Sequence, residues 1–161
     1  MKKTLIYTAV GAIAATLFIP VNYVSAKDSN GTLPHIDGNS QFPQTRWSNV
    51  RHTFRVHIPQ NSPSVSQLNI EVPNTLTWSN NINDVIVANE NGKKINASIS
   101  TNGKSILITF AEPVAFNTKL EIDIKNVKQP FRGNGPVYSI KAKLAGSTTE
   151  ISIGTARFRI N

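Results

Sequence analysis

Arg51-His52-Thr53-Phe54-Arg55-Val56-His57-Ile58, closed by Pro59, is the stretch whose pattern decides the fold. Side chains of an extended chain point alternately to opposite faces. His52, Phe54, Val56 and Ile58 therefore fall on one side, and Arg51, Thr53, Arg55 and His57 on the other. An apolar row backed by a polar row reads as a half-buried strand of an antiparallel sheet. Working outward, the same period returns in Leu68, Ile70 and Val72, alternating with Gln67, Asn69 and Glu71 before Pro73. Leu76 and Trp78 extend that series, and Trp78 is expected to anchor a core.

Further along, Val85 to Ala88, Lys94 to Ser100 and Ser105 to Phe110 are separated by Asn91-Gly92 and Asn102-Gly103. Asn-Gly accepts the positive φ angles of a type I′ turn, so two hairpins forming a three-stranded meander are expected. Ile95, Ala97, Ile99, Ile106, Ile108 and Phe110 would supply its buried face, with Lys94, Asn96, Ser98 and Thr109 outward. Two more strands follow, with Leu120, Ile122 and Ile124 inward, then Tyr138, Ile140, Ala142 and Leu144. Between them the breaker-rich segment from Gln129 to Pro136 reads as a loop. In the last strand Ile151 and Ile153 are apolar at odd positions, whereas Ala156, Phe158 and Ile160 are apolar at even ones. One extra residue resets the faces, which predicts a β-bulge at Gly154-Thr155. About eight strands at this spacing predict an all-β, antiparallel β-sandwich of the Ig-like, Greek-key type.

The N-terminus carries an address. Lys2 and Lys3 precede the apolar run Leu5 to Ile19, which Pro20 ends, and Val24-Ser25-Ala26 places small residues before a cut between Ala26 and Lys27. Residues 1–26 thus read as a secretory signal peptide, 27–44 as a flexible leader rich in Asn, Gly, Ser and Pro, and 45–161 as a single sandwich domain. The apolar run is shorter than the roughly 20 residues that span a bilayer, and no later segment is apolar enough. The mature chain is therefore expected to have no transmembrane segment. Cysteine is absent, so neither a disulfide nor a thiolate metal site is available, and stability must come from packing. Without Lys2 and Lys3, fifteen basic face nine acidic side chains, an excess of about +6 that favours anionic neighbours.

Catalytic signatures are missing: no Gly-x-Ser-x-Gly elbow, His-Glu-x-x-His helix, phosphate loop or dinucleotide fingerprint occurs. His52 and His57 face opposite ways, and His35 with Asp37 lies in the leader, so no metal site and no cofactor are expected. Glu121 and Asp123 share the outward face of one strand, at a spacing of about 7 Å that suits paired catalytic carboxylates. Lys119 and Lys125 bracket them, which suits a salt-bridged surface better. Asn30 and Asn96 lie in glycosylation sequons. The basic residues form the suggestive pattern. Arg51 and Arg55 share one outward face, as do Arg157 and Arg159; were those strands neighbours, the four would form one ridge, widened by Lys141 and Lys143. Export and a lack of interleaved surface aromatics argue against nucleic acid as the partner.

Certain segments also resemble a known family. They are Val50 to Pro59, Phe110-Ala111-Glu112-Pro113-Val114 leading into Leu120-Glu121-Ile122, Asn126 through Pro130-Phe131 to Val137-Tyr138, and Gly154-Thr155-Ala156-Arg157-Phe158. Together they look like a secreted cyanobacterial domain-of-unknown-function family, number 2808 of that series, over residues 42–160. The resemblance implies a signal peptide and a β-rich domain, and carries no activity or site. Asn117 stands where the family usually has glycine, and asparagine tolerates the left-handed turn expected there.

The expected function is a non-catalytic secreted or periplasmic module of the cell envelope that binds an anionic envelope polymer or a protein partner. The alternative is a small secreted hydrolase of cell-wall or extracellular polymer using Glu121, Asp123 or His57.

Overall fold

The computed structural model describes residues 31–44, 47, 49–130 and 132–159. The expected signal peptide, its cut at Ala26-Lys27, Asn30, Phe131 and Ile160 lie outside them. Nine strands are present: β1 (His35–Phe42), β2 (Asn49–Ile58), β3 (Val65–Glu71), β4 (Val85–Asn89), β5 (Ala97–Thr101), β6 (Ser105–Val114), β7 (Thr118–Lys128), β8 (Val137–Leu144) and β9 (Glu150–Arg157). They form two antiparallel sheets, ordered β1-β2-β7-β4 and β5-β6-β3-β8-β9. The chain crosses between the sheets repeatedly, at β2–β3, β3–β4, β4–β5, β6–β7 and β7–β8, so the sandwich is all-β and antiparallel as the alternation predicted.

The core lies between the sheets. Phe54, Val56 and Ile58 of β2 and Leu120, Ile122 and Ile124 of β7 face Leu68 and Ile70 of β3, Ile106 and Ile108 of β6, and Ile140 and Ala142 of β8, all fully buried. Each large side chain of this kind contributes roughly 1.5–3 kcal/mol by leaving water. Trp78 joins them at 6% exposure, as expected.

Three expectations need correction. Residues His35–Phe42, assigned to the leader, form the edge strand β1, paired along β2 from His35 opposite His57 to Phe42 opposite Arg51. A bulge between Ile36 and Gly38 puts Ile36 against the core and Phe42 outside, so the strand shows no simple alternation. The meander is split: β4 belongs with β7, and after a single bridge of Ala88 to Lys94 the chain passes to the other sheet, where β5 pairs β6. Ile95, Ala97 and Ile99 are consequently only partly buried. Nor are the Asn-Gly turns type I′, because only Gly92 (φ 75°) and Gly103 (φ 85°) take positive φ there. The asparagine before each glycine does not take the positive φ that a type I′ turn requires of it. Asn89 Oδ1 accepts from the amides of Asn91 and Lys93, and Asn102 Oδ1 from those of Lys104 and Ser105.

Of two finer expectations, the β9 bulge is present one residue before the expected Gly154-Thr155, and the left-handed Asn117 holds. The β8–β9 register shifts between Ile140 opposite Gly154 and Lys141 opposite Ser152, leaving Ile153 as the extra residue beside Gly154 (φ 135°). Asn117 sits in the left-handed region, φ 55°.

Candidate functional site

The six basic residues singled out from the sequence do not make one ridge. Arg51 and Arg55 stand on β2 and Arg157 on β9, which belong to different sheets. On the outer face of the first sheet, Arg51 pairs with Asp123 at 3.7 Å and Arg55 with Glu121 at 3.7 Å, because β2 and β7 bring those residues alongside. Thr53 donates to Asp123 from its place directly opposite and is itself buried. Lys119 reaches Glu90 at 3.9 Å. The two carboxylates that suited acid–base chemistry are thus engaged by arginines. On the other sheet Lys141 is ion-paired with Glu71, which raises the lysine's pKa, and Lys143 lies across from Glu150 in the register.

Arg157 and Arg159 are different: both are exposed, and neither forms an ion pair among the described residues. They flank buried Phe158 at a groove of about 430 Å³, lined also by Asn39, Ser40, Gln41 and Gln44. The groove is the seam where the β1 edge of one sheet meets the β9 edge of the other. Asn39 Nδ2 donates to the Arg157 carbonyl at 2.8 Å. Ile36 packs over Gly154, where an added Cβ would come to 3.1 Å from Ile36 Cγ1. Sequence reasoning missed the β1 side of this groove because the bulge hides the strand's period.

Beneath the seam lies a buried aromatic cluster joining the two sheets. His52 stacks on Phe158 at 3.9 Å between ring centroids, and Phe54 and Tyr138 meet Phe158 edge-on at 5.2 and 5.5 Å. Tyr138 is assigned as the donor of the 2.8 Å hydrogen bond to His52 Nδ1, which places the ring proton on Nε2. Burial pushes His52 down to about 4, with Gln129 pulling weakly the other way, and pushes the Tyr138 phenol well above its usual range. His52 is therefore a neutral core residue.

His57 points outward, with its ring 5.1 Å from that of His35 across the β1–β2 pair. Desolvation first, then the His35 charge, lower its pKa. No group of three metal-ligating side chains occurs among the described residues. Exposed aromatics, thought lacking, are present: Phe42 is 63% and Trp47 60% exposed, and the Arg51 guanidinium lies 5.6 Å from the Phe42 ring centre. Phe42 ends β1, within residues 27–44, whose polar composition predicts no ordered element, and Trp47 lies beyond it. No helix among the described residues is long and apolar enough to cross a membrane.

Solved structures resemble this architecture at low identity. The N-terminal domain of a Streptococcus gordonii adhesin matches with a TM-score of 0.52 and 9% identity over 80% of this chain and 32% of that one. BcpA, the major pilin subunit of Bacillus cereus, matches with a TM-score of 0.53 and 12% identity over 79% of this chain and 40% of that one. The chain therefore spans well under half the length of either structure, and at these identities the likeness is one of fold. No curated protein matches the chain. Residues 36–160 match the model of a family described as a protein of unknown function, DUF2808, and the chain belongs to that family.

Proposed function

We propose that this protein is a non-catalytic module that works outside the cytoplasm, released by cleavage after Ala26, and associates with an anionic surface of the cell envelope. The observation that carries the reading is the division of charge. Glu121 and Asp123 are neutralised in cross-strand ion pairs, whereas Arg157 and Arg159 carry no such partner among the described residues. A face built this way attracts anions and offers no free acid–base pair for hydrolysis. The adhesin and pilin domains that share the fold are in keeping with a binding module.

Sedimentation of the protein with isolated envelope fractions tests the reading. Co-sedimentation at low salt that weakens as salt shortens the screening length is expected. A protein that stays in the supernatant at low salt would overturn the proposal.

A further inference from the structure

The groove at the β1–β9 seam has the chemistry of a carbohydrate site with a negative charge to match. Arg157 and Arg159 stand two apart on one face, their guanidinium groups suited to bidentate capture of carboxylate or sulfate. None of the seven lining residues is acidic. Asn39, Ser40 and Gln44 supply neutral amide and hydroxyl groups, which donate to and accept from sugar hydroxyls, while the Gln41 amide already donates to the Pro43 carbonyl. A volume of about 430 Å³ falls within the range of roughly 300–1,000 Å³ typical of ligand sites.

An acidic peptide fits less well. Peptides commonly bind by adding a strand to a free sheet edge. Here the two edges cover each other, through the Asn39 to Arg157 hydrogen bond and the packing of Ile36 over Gly154. The geometry points to the β1–β9 groove as a binding site for an acidic polysaccharide, with Arg157 and Arg159 holding its acid groups and the β1 amides its hydroxyls. This inference rests on the envelope-binding reading and gives that reading a place and a ligand class.

The test is titration of the full chain, purified from cells that make it, with polygalacturonate, dextran sulfate, neutral dextran and polyglutamate at low salt. Binding to either acidic polysaccharide is expected, and which of the two binds identifies the acid group. The double variant R157A/R159A should bind roughly tenfold or more weakly, with its thermal midpoint unchanged because both side chains are exposed. K93A/K94A, which removes two exposed charges beside the opposite edges of the sheets, should bind as the parent does. Equal affinity for polyglutamate would overturn the saccharide assignment, and equal affinity for neutral dextran the charge assignment. Undiminished binding by R157A/R159A would overturn the location. If that variant still sediments with envelopes while the parent's polysaccharide binding is absent, the groove assignment fails and envelope association stands. If the parent binds polygalacturonate but no envelope, the broader reading fails instead.

Discussion

Gly135 shows how one missing side chain can hold a seam together. Its φ is 77°, and an added Cβ would lie 1.8 Å from the Phe158 carbonyl oxygen, which is backbone and cannot swing away. Next to it the Phe158 amide donates to the Pro136 carbonyl at 3.0 Å, so the loop before β8 clamps the end of the chain and with it the ring that stacks on His52. Gly135→Ala should therefore cost at least ~2–3 kcal/mol in urea unfolding. Gly92→Ala faces only a similar φ of 75° with nothing within 4 Å, and should cost about 1 kcal/mol. Equal losses for the two would remove the clamp. His52 supplies a second prediction. Its folded pKa of about 4 lies below the ordinary 6.5, so between these values the unfolded chain binds more protons than the folded one. Stability is then full above pH 6.5 and falls as the pH drops toward 4, by on the order of 3 kcal/mol. His57 shifts the same way, but it lies at the outer face in contact with solvent and its share is small. Urea midpoints measured from pH 7 to 4.5 should fall steeply for the parent and much less for H52Q; parallel curves would contradict the assignment. Alternation alone placed His52 on the buried face. Its stacking on Phe158 was beyond sequence reasoning, since the two residues belong to different sheets and meet only when the layers close.

At the scale of elements, legibility followed the regularity of the period. The strands β2, β6, β7 and β8 alternate over the central part of their length and are placed from it; even the irregular β9 discloses its bulge, because apolar residues continue on both sides of the slip. β1 has the opposite character. Its residues HIDGNSQF offer few apolar side chains, it sits at a sheet edge, and its bulge at Asp37 turns Ile36 and Phe42 to opposite faces. The split of β4 from β5 was hidden for another reason: a turn signal fixes that the chain reverses, not which sheet receives it. The pairing of β1 predicts that limited proteolysis of the protein alone leaves His35–Phe42 intact, since its backbone is tied to β2 without any partner. Rapid cleavage within that span would return it to the role of a leader.

For the whole molecule, the sequence supplies an excess of positive charge and the fold decides where it is exposed. Register places Glu121 and Asp123 beside Arg55 and Arg51, so the outer face of the first sheet is close to balanced. Exposed pairs of this kind stabilise by about 0–1 kcal/mol, and their larger effect is to leave the imbalance elsewhere. The far side of the sandwich is bridged by the β4–β5 crossing, and the near side is the β1–β9 seam, whose two arginines form no ion pair among the described residues. Net charge was readable from the sequence; the seam was not, because its halves come from the first and last strands and from different sheets. Hydrogen exchange on the protein with and without envelope fragments at low salt tests this account most directly. New protection confined to Asn39–Gln44 and to the end of β9 around Arg157 is the predicted result. Protection absent altogether, or centred on the outer face of β2 and β7, would contradict it.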